Sequence, residues 1–435
     1  MRKYWVITYG CQMNKSDSEK ITMVLENIGH ASASKISEAD LIVVNMCSVR
    51  QSAVDRVYGL LPKFKKLKTK NSKLKTILTG CILKSDLEKF KKIFDYILSI
   101  KALFFWPEFL KNKKCFYYPN PRDERFNKKF DAFYLKKKPK RSNNFSAFAP
   151  IMTGCNNFCT FCVVPYVRGP EISRKAEEIL SEIKNLTKRG FKEIWLLGQN
   201  VNSYQDSDIN FPKLLRMVND IEGNFWIRFT SSHPKDFSDE LIDIMANCEK
   251  VTEYLNLPVQ SGDNKILKKM NRPYTIEKYK EIIKKIRERI PNITLSTDVI
   301  VSFPGETKKQ FENTAKLFKE IKFDMAYIAK YSPRFQTLAA KLKNDTSYQE
   351  KKRRWKILTE ILKETALEKN KKYIGKEVEV LVNNKKGNFY FGKTRNYKTV
   401  KIQTTASNLV GQFIKVKIID AFPWGLKGVF IKNEK

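Results

Sequence analysis

Two textures of apolar residues alternate along the first hundred positions. Short, nearly continuous runs (KYWVITYGC, DLIVVNMC, LKTILTGC) are separated by longer stretches in which apolar residues recur every three or four positions, such as SDSEKITMVLENIG and SVRQSAVDRVYGLLPKFKKL. Strands buried on both faces of a parallel sheet give the first texture, and amphipathic helices give the second. The alternation predicts βαβ units and an α/β domain with a parallel sheet over residues 1–115. From 146 to 370 the pattern continues, with strands predicted at PIMTG, EIWLLG, WIRFTS, EYLNLPV, ITLSTDVIV and MAYIAKYS. Helices fit between them, from KAEEILSEIKNLTKRG to KKQFENTAKLFKEIK. A series of six βα units predicts a partial (βα)6 barrel. KKRRWKILTEILKE (351–364) reads as a helix with a solvated charged face. At 371 the period drops to two. EVEVLVNN, FYFGKTRN, TVKIQTT, QFIKVKIID and LKGVFIKN, broken by Gly and Asn, predict a small all-β barrel of about five strands over 371–435.

The cysteines give this frame a chemistry. Each of the first three runs ends in one: Cys11, Cys47 and Cys81. Parallel strands place their C-terminal ends on one sheet edge, so three such cysteines converge in space. A free cysteine is also a common small apolar core residue; recurrence at the same strand-end position is what favours a metal cluster. A second triplet, Cys155, Cys159 and Cys162, lies in CNNFCTFC after the first predicted barrel strand. Three thiolates hold three irons of a [4Fe–4S] cluster and leave the fourth open. A structural zinc site needs four ligands, and no fourth Cys or His lies nearby. Cys115 and Cys248 lack such context and read as structural.

Polar loops follow the other predicted barrel strands: GQNVNSY (198–204), SSHP (231–234), PVQSGD (258–263) and SFPGET (302–307). Loops after strands are polar in any case, but together these can line one mouth. Gln199, Asn200, Ser232, Gln260 and Ser261 are the candidate contacts for a polar cofactor there, and Phe161 offers an apolar wall for an adenine. S-adenosylmethionine suits an open iron in such a mouth. Its amino and carboxylate groups can chelate the iron, and one electron can cleave its sulfonium to a carbon radical.

Charge narrows the partners. Lys and Arg number 83 against 46 Asp and Glu, a formal net charge of +37. That balance points to a polyanion, nucleic acid first and an anionic membrane second, although Lys, Asn, Ile and Phe are abundant everywhere. Residues 116–145 mix Lys, aromatics and Pro without a period, as a solvated linker or a basic arm would. No signal-peptide pattern and no stretch long enough to span a membrane are present, so a cytoplasmic location is expected. Thiols stay reduced there, and the 8 cysteines read as ligands or reactive groups rather than disulfides. With only His30 and His233 present, chemistry built on histidine is not expected.

CNNFCTFC resembles the signature of radical S-adenosylmethionine enzymes. With the three-cysteine domain before it and the β module after it, essentially the whole chain resembles the methylthiotransferase family. Members of that family join an auxiliary-cluster domain, a radical barrel and an RNA-binding TRAM domain. TYGCQMNKSDSE, CVVPYVRG, LLGQNVNSY and RFTSSHP are similar to the branch that acts on isopentenylated adenosine in tRNA. The resemblance implies two [4Fe–4S] clusters, an auxiliary one on Cys11, Cys47 and Cys81 and a radical one on Cys155, Cys159 and Cys162. It further implies two S-adenosylmethionine molecules per turnover, one methylating sulfur and one generating the radical that attacks carbon 2 of the adenine. The implied partners are the tRNA anticodon stem-loop, an electron donor such as flavodoxin or ferredoxin, and a sulfur source, with the protein a monomer. Two other readings stay open: a methylthiotransferase acting on threonylcarbamoyladenosine, and a non-catalytic RNA-binding protein carrying one cluster. The chain departs from the family pattern at three places. Asn256 stands where His is usual, Ser302 where Gly is usual, and Phe335-Gln336 where Pro-Gly is usual.

Overall fold

The computed structural model describes residues 2–49, 51–111, 114–119 and 133–431. The amino-terminal sheet is parallel throughout, in the order Ala31–Ser32, Lys3–Tyr9, Leu41–Cys47, Lys75–Cys81, Tyr96–Leu98 and Cys115–Tyr117. The three strands predicted from the sequence form its centre. All of Leu41–Cys47 is buried. Leu41 and Val43 meet Ile21, Val24 and Leu25 of the helix Gln12–Asn27 on one face. Ile42, Val44 and Met46 meet Val54, Val57 and Phe64 on the other. Cover on both faces is why this run carries no polar alternation. The three outer strands span two or three residues each, too short to show a period.

The described parts of 116–145 pack against this domain and do not form a solvated linker. Phe116 and Tyr117 lie in the edge strand, and Tyr134 and Leu135 are buried in the same core as Ile21. Arg141 is buried between Glu19 and Glu182. These aromatics have an apolar sheet face to cover, which composition alone does not reveal. The basic-arm reading of residues 120–132 falls outside the described residues.

Two three-stranded parallel sheets follow. The first holds Ser146–Pro150, Glu193–Leu197 and Trp226–Phe229, and the second Tyr254–Asn256, Thr294–Val301 and Met325–Lys330. A bridge between Ile227 and Val251 joins them into one partial barrel in chain order. Helices pack outside through a core containing Ile183, Ile194, Leu196 and Leu214, while Trp195, Leu197 and Tyr254 face inward. The first strand lies upstream of the predicted PIMTG. Pro150 has no N–H to extend the ladder. Met152–Thr153 then turns away and pairs antiparallel with Ile172–Ser173, so the cysteine loop hangs within a small clasp.

The solvated face expected at 351–364 is present, with Lys352, Arg353, Lys356, Glu360, Lys363 and Glu364 exposed, and has two exceptions. The helix Tyr348–Lys371 buries Lys351 and Arg354. Arg354 pairs with buried Glu306 at 2.8 Å, and Lys351 donates to the Tyr331 carbonyl and to Asn344. Partners distant in sequence make these charges tolerable inside.

The carboxy-terminal module is a closed five-stranded barrel of Glu377–Lys386, Phe389–Thr394, Thr399–Gln403, Gly425–Phe430 and Phe413–Phe422, in that spatial order. Alternate residues Val380, Val382, Val400, Ile402, Val416 and Ile418 fill it. Its turn at 394–398 enters the larger barrel from the N-terminal ends of the strands. Tyr397 packs on Trp195 and Tyr254, and the fully buried Arg228 donates to the carbonyls of Thr394 and Arg395. Among the described residues no helix is long and apolar enough to cross a membrane.

Candidate metal centres

The first cysteine triplet sits on one edge of the amino-terminal sheet. Cys47 and Cys81 are the last residues of neighbouring strands and stand opposite each other in register. Cys11 follows the adjacent strand and caps the helix Gln12–Asn27. A buried amide network fixes these loops. The Asn14 carbonyl oxygen accepts from Cys11 N–H at 3.2 Å, and its amide donates to Asn45 at 3.1 Å. Asn45 donates back to the Asn14 backbone and to Ser18. Gly80, at φ +109°, lets the strand end pass here; a Cβ would lie 2.1 Å from the Met46 carbonyl.

The thiols of this triplet sense one another. Cys11 reaches solvent as a residue, yet the atoms packed around its thiol, and then Cys81, push it up. Cys47 is pushed well up, first by its hydrogen bond with Cys81. Cys81 is held low, first by that bond and then by the cationic Arg168. Arg168 Nε lies 2.9 Å from Cys81 Sγ.

The second triplet is on the loop within the clasp. Gly154, at φ +84°, has no room for a Cβ, which would lie 1.7 Å from the Pro170 carbonyl. Gly154 N–H donates to Gln199, and Cys155 N–H to the Gly169 carbonyl at 3.1 Å. Thr160 bonds the backbones of Met270 and Lys269, and Asn271 donates to the carbonyls of Asn157 and Phe158. Burial pushes Cys155 up to about 11. Burial, then Cys159 and Cys155, push Cys162 to about 12. Arg272 approaches Cys159 Sγ at 3.7 Å and Asn157 approaches Cys155 Sγ at 3.5 Å.

Both triplets fit an iron–sulfur cluster. Each gathers three thiols with N–H donors aimed at sulfur, as cluster thiolates require. Among the described residues no three Cys, His, Asp or Glu side chains surround one point as ligands of a single ion would. A cubane holds each thiolate on a different iron, so it asks for a wider spread. The two sites are also joined. Val163 and Val167, directly after Cys162, pack in one cluster with Cys47, Cys81 and Leu83.

Around the second triplet the strand ends carry buried polar atoms that lack a protein partner: Thr153 Oγ1, Asn200 Oδ1, Asn202 Oδ1, Ser232 Oγ, His233 Nε2, Ser302 Oγ and Tyr331 OH. Such orphans are costly unless a ligand or water meets them. Ser231, Gln260 and Ser302 hold left-handed backbone, with φ of +69°, +67° and +59°. Unsatisfied polar groups and strain concentrated at one mouth mark a site built for a polar ligand. Phe161 lies against Ile266, Met270, Phe303 and Tyr331, which gives the mouth an apolar wall. Gln199 is occupied with Gly154, and the Ser261 hydroxyl accepts from Asp263 N–H. Asn200 donates to Asp236 and keeps its oxygen free. At the Asn256 departure the amide donates to Ser296 and Asp298 inside the barrel.

Residues 149–318 match the model of the Radical SAM superfamily, residues 3–100 that of Uncharacterized protein family UPF0004, and residues 371–431 that of the TRAM domain. Proteins of Clostridium botulinum (strain Langeland / NCTC 10281 / Type F) and Clostridium novyi (strain NT), both named tRNA-2-methylthio-N(6)-dimethylallyladenosine synthase, are 43% identical to this chain. The matches cover 98% and 99% of this chain and 96% and 97% of those proteins. This chain belongs to the tRNA-2-methylthio-N(6)-dimethylallyladenosine synthase family. A relative of the same name from Thermoanaerobacter sp. (strain X514) is 42% identical over 99% of this chain and 93% of its own length. The solved structure of the radical S-adenosylmethionine methyltransferase TsrM from Kitasatospora setae, with cobalamin and a [4Fe-4S] cluster bound, shares the fold. Its TM-score is 0.55 at 14% identity, over 78% of this chain and 77% of that one.

Within this family frame, the radical match spans Cys155–Cys162 and the UPF0004 match spans Cys11, Cys47 and Cys81. Sequence reading placed Asn202, His233 and Ser302 in the mouth loops without singling them out, and did not pick out Arg168, Arg272, Thr153 or Tyr331. His233 is the instructive case. It is buried and held neutral, its pKa lowered to about 2 by burial and then by Arg272 and Lys235. Its Nδ1 accepts from Lys235 N–H, which leaves the proton on Nε2, facing the mouth as a donor. The signal was its place in SSHP, directly after a strand.

Proposed function

We propose that this transferase inserts a methylthio group at carbon 2 of N(6)-isopentenyladenosine next to the tRNA anticodon, giving 2-methylthio-N(6)-dimethylallyladenosine. The observation that carries the reading is the pair of cysteine triplets packed together through Val163 and Val167. One triplet alone would suit radical generation; a second one, packed against the residues that follow the first, suits group delivery as well.

In this reading Cys155, Cys159 and Cys162 hold the radical-site [4Fe–4S] cluster, and Cys11, Cys47 and Cys81 the auxiliary one. When bound, the radical-site cluster would supply the electron that splits the sulfonium of S-adenosylmethionine into methionine and a carbon radical able to take hydrogen from an unactivated C–H bond, and the auxiliary one would offer sulfur for transfer. Two S-adenosylmethionine molecules are needed, since one provides the methyl and the other the radical. The chain's own residues bind and orient. Phe161 and its apolar neighbours take the adenine of the cofactor, while Asn200, Asn202, Ser232 and the Nε2–H of His233 meet its polar groups. Arg272 holds Cys159 from behind. Burial of the mouth keeps water from a reactive intermediate.

The five-stranded barrel grips tRNA. Lys401, Lys415 and Lys417 are exposed on alternating positions, suited to phosphates. Phe422 and Trp424 are half exposed, at 50% and 56%, and offer stacking faces for unpaired bases. The target base must leave the anticodon loop stack to reach the mouth. The reading includes an electron donor such as flavodoxin or ferredoxin, a separate sulfur source, a monomeric protein in the cytoplasm, and domain divisions near 115, 146 and 371.

Nucleoside mass spectrometry of tRNA from cells with and without this gene tests it. Loss of the 2-methylthio form with accumulation of unmethylthiolated isopentenyladenosine is expected. An unchanged profile refutes the proposal, and selective loss of 2-methylthio-threonylcarbamoyladenosine reassigns the substrate.

A further inference from the structure

Six residues beyond Cys162, on the far side of a short helix at Val164–Val167, Arg168 leaves the radical domain and enters the auxiliary one. Its side chain is 2% exposed. Three different groups use its guanidinium. Nη2 donates to Asp17 Oδ2 at 2.6 Å, Nη1 to Tyr134 OH at 3.3 Å, and Nε to Cys81 Sγ at 2.9 Å. Asp17 is fully buried and also accepts from the Tyr134 hydroxyl. Tyr134 is fixed in turn by Lys20, which lies 3.9 Å over its ring and donates to its carbonyl. Four pieces of chain therefore converge on one Arg–thiol contact: the helix after Cys11, the strand end at Cys81, the segment at Tyr134, and the loop after Cys162.

We propose that Arg168 is a positioning residue of the auxiliary site: clamped by Asp17 and Tyr134, it presents Nε–H to the Cys81 thiolate and raises the reduction potential of the cluster held there. The inference rests on the reading of Cys11, Cys47 and Cys81 as cluster ligands. Reduction adds one negative charge to a cluster. A fixed N–H donor at a ligand sulfur stabilises the reduced form more than the oxidised one. Asp17 offsets the guanidinium's net charge but leaves the N–H dipole aimed at sulfur. Burying an arginine to pair one aspartate would need only one face of the fork; here the remaining edge is turned to the thiol. The equivalent contact at the other triplet, Arg272 to Cys159, is longer at 3.7 Å, so the closer donor serves the auxiliary site. Because Arg168 is continuous with Cys162, the same residue also sets the spacing between the two centres.

The test uses the full chain with Cys155, Cys159 and Cys162 replaced by Ala, so that only the auxiliary site can load. After anaerobic reconstitution, iron is counted and the potential is read by dithionite titration with electron paramagnetic resonance. Arg168→Lys keeps the cation but loses Nε. Asp17→Asn with Arg168→Gln removes the guanidinium and the pair's two opposite charges together. Both variants are expected to hold about four irons. In the double variant the reduction equilibrium constant is expected to fall tenfold or more, which is 59 mV for a one-electron couple. Arg168→Lys should shift it in the same direction by less. A potential within twofold of the parent's equilibrium constant, in whichever variants load, overturns the role of Arg168. Failure of the triple-alanine parent itself to take up about four irons overturns the auxiliary-site reading, and the inference with it.

Discussion

Replacing Arg228 by Met should loosen the RNA-binding module from the catalytic barrel. Arg228 has no exposed side-chain surface. Its Nε donates to Glu193 at 2.6 Å, Nη1 to Thr252 at 3.0 Å and the Arg395 carbonyl at 2.7 Å, and Nη2 to the Thr394 carbonyl at 2.9 Å. The methionine chain fills comparable space but leaves Glu193 as a buried carboxylate that keeps, among the described residues, a side-chain hydrogen bond from Ser146. Removing one member of a buried ion pair costs about 3–5 kcal/mol, more than an ordinary hydrogen bond at about 1 kcal/mol. Three kcal/mol corresponds to roughly 150-fold in a local opening equilibrium. Hydrogen exchange reads that opening at the amides of Tyr397 and Lys398, which bond to Thr394 within the inserted turn. Arg228→Met should cut their protection by about that factor. Adding Glu193→Gln removes the stranded charge and should restore a tenfold part of it, leaving the two carbonyls unmet. Protection changed less than fivefold in the single variant would refute the claim that the buried pair holds the modules together. Equal losses in single and double variants would refute the charge argument.

Other outcomes follow from the same geometry. Cys155→Ala and Cys47→Ala should each lower iron content after reconstitution from about eight to about four per chain; a Cys47→Ala protein that still holds eight sinks the auxiliary assignment. Gln336 is exposed and sits at φ +73° where the family pattern has Gly. Gln336→Gly should therefore raise stability by about 0.5–1 kcal/mol, seen as a higher thermal midpoint, and a lower midpoint contradicts the strain argument. Burial, and then Arg228, hold Lys393 down to about 8 from its ordinary 10.5. Folding thus disfavours its charged form, a penalty complete below about pH 8 that fades toward pH 10.5. Relative to Lys393→Met, the natural protein should gain stability as pH rises through that window; a constant difference between the two denaturation midpoints would refute it.

Much of this was legible before any coordinates. The C-x3-C-x2-C spacing, the strand-end placement of Cys11, Cys47 and Cys81, and the switch from helical to two-residue period at 371 are local properties of the chain. The resemblance, and no local property, marked the departures at Ser302 and Gln336; the structure places both at positive φ, where only Gly is unstrained. Local pattern failed where a residue's state depends on a distant partner. Lys351 and Arg354 look like a wet helix face until Glu306, 48 residues away, is brought beneath Arg354. The first barrel strand was misplaced because PIMTG is apolar enough for a strand, and only Pro150 and the clasp with Ile172–Ser173 decide its end.

By itself, then, the sequence determined the spacing of the two cysteine triplets, the order of the domains and the periods of their elements, because covalent spacing and side-chain periodicity are set by the chain. The tertiary structure alone decided that Arg168 meets Cys81 across 87 residues and that Arg228 reaches a turn 167 residues onward. No local rule carries such facts. A buried charge is stable only beside its partner, and that partner is chosen by how whole domains pack.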